Sequence, residues 1–231
     1  MRTPLALALS LALPLSAATL ASAARAQECG MPLRFYEDAP RVADIDAAPV
    51  RDALEAGRYE EAARLARARL DATTLEQRAA AFTLRPGRKF NEEEVRVALA
   101  AAVIRTGGAE GLAAPVSAKL SQKKAKAAQA RNLENARALL QQELSRQSGD
   151  PVIATLLGEA HLALGDVDFA GQVLEDLAEA DLIVSPEGWS ALARAREAAG
   201  KSEEAAAARK RCEDAARDGA VCQPTPAVAR S

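Results

Sequence analysis

Aromatic side chains are scarce, with one Trp, two Tyr and four Phe among 231 residues, while alanine occurs 57 times. Such a mixture argues against a sheet, because strands draw on aromatic and β-branched side chains whereas alanine loses little entropy in a helix. Histidine occurs once, at His161, so no metal-binding histidine pair exists, and the three cysteines match no familiar four-ligand spacing. The chain also lacks a glycine-rich phosphate loop and a paired-carboxylate motif. These absences leave no enzyme chemistry, cofactor or metal to assign. The acidic run Glu92, Glu93 and Glu94 has a simpler reading as the first turn of a helix, where acids are favoured.

A second long apolar run is missing too. The only one, Leu5 to Leu15, follows a basic start at Arg2 and precedes the small residues Ala24 and Ala26, the layout of a secretory signal peptide over residues 1–26. Its length of about 11 residues falls short of the roughly 20 needed for a span, so the mature chain is expected not to cross a membrane. Cys29 lies close behind the cut, yet Ala26, Gln27 and Glu28 do not form the small-residue pair of a lipobox; a membrane lipoprotein is the weaker alternative to a periplasmic or secreted protein. From Gln27 onward the chain carries 28 basic and 32 acidic residues. A nucleic acid is therefore not an expected partner, since phosphate binding needs a concentrated basic face. Lys119, Lys123, Lys124 and Lys126 are spaced so that they spread around a helix instead of stacking on one face, with Glu134 soon after, and are read as a solvated helix.

In an oxidising compartment the cysteines can pair. Cys212 and Cys222 are ten positions apart with Gly219 available for a turn, which makes a disulfide between them the first choice. Pairing of Cys29 with either of them is the alternative that sequence leaves open.

Repetition is the most informative pattern. Pro151 and Pro186 are 35 residues apart; behind the first come Leu157, Gly158, His161, Gly165, Asp166 and Ala170, and behind the second Leu192, Ala193, Arg196, Gly200, Lys201 and Ala205. Each unit reads as a helix, a glycine turn and a second antiparallel helix. Gly158 or Ala193 on one helix and Ala170 or Ala205 on the other keep the facing surfaces small, so the axes can approach. His161 and Trp189 are read as packing residues of these units. Leu54, Gly57, Tyr59, Glu60, Glu61 and Ala62 look like the turn of an earlier unit, whose first helix contains Pro49. Between them lie the helix Val95 to Ile104, a Gly107-Gly108 turn and one long helix across roughly residues 117–146, bent near Asn132.

These residues resemble the tetratricopeptide repeat family. The resemblance implies an all-α, right-handed solenoid of about four antiparallel helix pairs and a groove made by the first helix of each pair. It places Val152, Thr155, Glu159, Leu162, Glu187, Ser190, Arg194 and Glu197 on that inner surface, where they would hold an envelope protein or peptide. The family members that clamp a carboxylate chain end use Lys, Arg and Asn at such places. Here only Arg194 is left, which weighs against that specificity.

The expected organisation is a signal peptide over 1–26, an irregular segment over 27–42, a small repeat unit over 43–84, a connection at 85–91 around Pro86 and Gly87, a repeat stack over 92–219 and a flexible tail over 220–231. The expected function is a periplasmic or cell-envelope protein-binding module, with a permanent structural subunit of an envelope complex as the alternative.

Overall fold

Residues 42–83, 92–216 and 219–223 are described in a computed structural model, and all of them belong to one unit, Pro40–Ser231. The leader, Cys29, the connection 85–91 and residues 224–231 lie outside the described residues. Those described form helices α1 (Val42–Glu55), α2 (Tyr59–Thr83), α3 (Glu92–Arg105), α4 (Gln122–Arg146), α5 (Pro151–Leu164), α6 (Val167–Glu179), α7 (Pro186–Ala198) and α8 (Ser202–Ala215), then a 3-10 turn, Gly219–Cys222, with no strand among them. The all-α class expected from composition is the class observed.

The 35-residue repetition has a local cause. Asp150 caps α5 by accepting hydrogen bonds from the N–H groups of Val152 (2.8 Å) and Ile153 (3.1 Å), with Pro151 at the first helical position. Ser185 does the same for α7 through Gly188 N–H (3.2 Å), with Pro186 next. Proline has no N–H to leave unsatisfied there. The two helices end alike, at Gly165 (φ 87°) and Gly200 (φ 77°), whose left-handed backbone a side chain would strain. Start and stop signals of the same kind thus give two hairpins of nearly equal length, residues 151–179 and 186–215.

Each helix packs on its chain neighbour, and α1, α3, α5 and α7 also touch in succession, while no two even-numbered helices meet. The odd helices therefore form one continuous row, flanked by the even ones. Close approach is set by small residues. A Cβ on Gly158 would come within 2.8 Å of Leu174 on α6, and Ala170 beside it is wholly buried. Alanines fill much of the core, at Ala62, Ala63, Ala100, Ala102 and Ala136 among others, and larger groups such as Leu99, Leu140, Leu174 and Leu192 fill what remains.

The middle departs from expectation. Helix α4 starts at Gln122 instead of about 117, and Lys123 and Lys124 are exposed on its first turn. Residues 106–121 form an irregular segment tied down at both sides: Arg67 donates to Gly111 O (2.9 Å) and pairs with Glu110 (2.6 Å), and Asn132 donates to Gly108 O (2.9 Å). The bond from Asn132 holds the chain at Gly108 beside α4. Pro49 sits inside α1 on its exposed side, where the lost N–H bond faces water. At the other end, residues 219–222, which straddle the expected start of the tail, pack against α7 and α8.

Candidate functional site

The row of odd helices carries a cavity of about 220 Å³. Helix α1 contributes Val50 and Leu54, α3 contributes Val97, Ala98 and Ala101, α5 contributes Val152, Thr155 and Leu156, and the α6–α7 connection adds Val184 and Ser185. On each helix these positions recur at three- and four-residue steps, which puts them on one face. Val152 and Val184 stand at the mouth, 45% and 67% exposed. Water therefore meets apolar surface there.

The charged groups of the lining are compensated within the chain. Arg51 pairs with Glu94 at 3.2 Å. Arg105, at the end of α3, reaches two helices at once: its Nε and one terminal nitrogen lie 3.2 and 3.3 Å from the Glu159 carboxylate on α5, and the other terminal nitrogen 3.1 Å from Glu187 on α7. The Tyr59 hydroxyl at the start of α2 donates to the same Glu187 oxygen at 2.9 Å, and the guanidinium lies 5.7 Å from the Tyr59 ring centroid. Four helices are joined by this clasp. Burial alone would lower the Arg105 pKa, but the charges of Glu159 and Glu187 outweigh it and raise it, so the guanidinium is fixed in its charged form. Burial, and then the charge of Glu187, push the Tyr59 phenol well above its usual range.

The residues expected on the inner surface are divided by this geometry. Val152 and Thr155 line the cavity, though Thr155 is buried and its hydroxyl donates to Pro151 O at 2.7 Å. Glu159 and Glu187 belong to the clasp. Ser190 is buried, and Leu162 packs against the core cluster around Trp189. Arg194 is exposed, yet desolvation by its neighbours lowers its pKa against the smaller opposing charge of Glu159, while Glu197 is held by Arg209 on α8. Arg105, Tyr59 and the faces of α1 and α3 were not among the expected site residues. The three- and four-residue spacing of Val50 and Leu54, and of Val97, Ala101 and Arg105, was the signal available.

His161, Trp189 and Ala205 are buried. Buried His161 presents Nδ1 to the Asp166 carboxylate at 2.9 Å and its ring to Phe169, centroids 4.1 Å apart, closing the α5–α6 turn. Trp189 is buried, donates to Ile183 O at 3.1 Å and lies under the Arg211 guanidinium. Ala205 is fully buried. Cys212 and Cys222 form the disulfide that sequence favoured, tying the 3-10 turn to α8. Among the described residues no helix is long and apolar enough to cross a membrane. No family model, curated protein or solved structure matches the chain.

Proposed function

We propose that this chain is an exported, tetratricopeptide-like binding module of the cell envelope, and that the cavity on its odd-helix row receives an apolar side chain from a segment of a partner protein. The single observation that carries the reading is an open, apolar cavity lined by three successive odd helices. Arg51 is matched by Glu94, and Arg105 by Glu159 and Glu187, so the lining offers a partner no uncompensated cation. An occupant with an aliphatic or aromatic anchor gains from leaving water, whereas a charged one would lose its hydration without a counter-ion. The repeated capping signals and the small residues at the helix crossings support the family resemblance, and the leader pattern supports export.

A photo-crosslinking residue at Val184 or Val152, with a third at Ala207 on α8 as control, tests this in cells. One discrete adduct from both mouth positions, absent from Ala207 and abolished by Leu54→Glu, is the expected result. Equal adducts from all three positions, or an adduct indifferent to Leu54→Glu, would remove the groove as the binding surface. Copurification with that partner in a fixed ratio that resists dilution would instead identify a permanent structural subunit.

A further inference from the structure

We infer that the segment between Glu110 and Glu134 is a peripheral docking surface for a bilayer containing anionic phospholipids. This goes beyond the groove and is independent of it. Residues 111–133 contain five cations, Lys119, Lys123, Lys124, Lys126 and Arg131, and no acid, while the remainder of the chain holds 25 basic and 32 acidic residues. Charge is therefore segregated on one segment of an otherwise acidic protein. All five cations are exposed, and none meets a carboxylate among the described residues. Elsewhere several cations are paired, with Arg51, Arg67, Arg105, Arg196 and Arg209 each held by a glutamate.

Helix stability does not account for the lysines. Lys123 and Lys124 occupy the first turn of α4, where the helix field disfavours cations, no acid balances them, and Ser121 makes no side-chain cap. Among the described residues these ammonium groups meet only solvent.

The neighbouring surface bears on what could meet these charges. Leading into the lysines, Ala113, Ala114, Pro115, Ala118 and Leu120 are exposed, the last at 39%. The loop bearing them is held in place: Val116 N–H donates to Ala109 O (2.8 Å), and Lys119 N–H to Ser117 Oγ (3.3 Å). Exposed small apolar groups followed in the chain by exposed lysines suit a bilayer interface, where the loop would meet the acyl boundary and the ammonium groups phosphate. Nucleic acid fits less well, because residues 111–133 contain no aromatic side chain for stacking. An acidic protein also fits less well, since protein interfaces are built on aromatic residues and arginine and are depleted in lysine.

Sedimentation with vesicles tests the inference, using the full chain so that any contribution of residues 1–26 is common to every variant. Vesicles of phosphatidylglycerol with phosphatidylcholine should bind the chain more tightly than phosphatidylcholine alone, and the difference should collapse in about 0.5 M salt, where screening is short-ranged. Joint Lys→Gln replacement at 119, 123, 124 and 126 should weaken binding to anionic vesicles by about a hundredfold or more, given the attraction of each lysine to such a surface. Leu120→Asp should weaken it as well. Equal binding of wild type and the Lys→Gln variant, or a wild-type preference for anionic lipid that persists in high salt, would overturn the proposal. So would a Leu120→Asp variant that binds as wild type, or retention on soluble polyphosphate without sedimentation on vesicles.

Discussion

A methyl group at residue 158 would sit 2.8 Å from Leu174 Cγ and 2.9 Å from its Cδ2, in a part of the core where Leu174 is wholly buried and has nowhere to turn. Overpacking of this kind costs about 1–3 kcal/mol, more than alanine's better helix propensity returns. Gly158→Ala should lower the urea midpoint without changing the slope of the transition; an unchanged or raised midpoint would show that α5 and α6 separate freely. Tyr59 makes a different case. Its folded-state pKa is raised above the unfolded value of about 10, so its contribution is fully present below pH 10 and is lost as pH rises through the folded value. Tyr59→Phe should therefore be less stable than wild type at pH 7, by about 1 kcal/mol for the lost bond to Glu187, and the gap should shrink or reverse by pH 11. Urea unfolding at the two pH values measures both numbers.

Between elements, specific links join helices α6, α7 and α8. Glu175 on α6 accepts from Arg196 Nε on α7 at 2.9 Å and lies 3.7 Å from Lys201 Nζ. The Arg196 bond lowers the Glu175 pKa, so this link contributes above the unfolded carboxyl value and is lost as pH falls through the depressed folded one. Glu175→Gln should destabilise near neutrality, and its difference from wild type should fade below about pH 4. The disulfide closes a loop across ten positions, and Cys222→Ser should cost about 3 kcal/mol on the chain-entropy model. Fluorescence of Trp189, in the same cluster as both cysteines, should report that loss. These elements were the most legible in sequence: Pro151 and Pro186 start helices, Gly165 and Gly200 stop them, and Gly158 marks a crossing, all by local chemistry. The irregular segment ahead of α4 was missed in sequence because its ties, from Asn132 to Gly108 and from Arg67 to Gly111, cross between segments, and no local pattern encodes them. The site was half legible for a related reason. Val152 and Thr155 follow from the family resemblance, but Glu159 and Glu187 look solvent-facing until an arginine 54 and 82 residues away is brought against them.

Across the whole described unit, packing alone ties each helix to its chain neighbours and each odd helix to the next odd one, so a stack of this kind can lose its ends one pair at a time. The Arg105 clasp breaks that rule. Through Glu187 it links α3, and through Tyr59 the start of α2, directly to α7, although neither α2 nor α3 packs on α7. Removing the guanidinium does two things at once: it leaves the Glu159 carboxylate buried without its partner, at a cost of about 3 kcal/mol, and it cuts the direct link from α3 to the last helix pair. A purely local loss would shift every signal together. Arg105→Leu should instead separate them, with the Trp189 fluorescence transition moving to lower urea than the far-ultraviolet circular dichroism transition and the two coinciding in wild type. Amide exchange should show the same division, protection falling most in α7 and α8 while the buried face of α3 from Val95 to Ile104 keeps more of its own. Arg105→Lys should not restore coincidence, because a single ammonium cannot hold two carboxylates in the forked geometry the guanidinium spans. If both optical transitions shift equally in Arg105→Leu, the clasp adds stability without coupling, and the unit folds as one body through alanine packing alone.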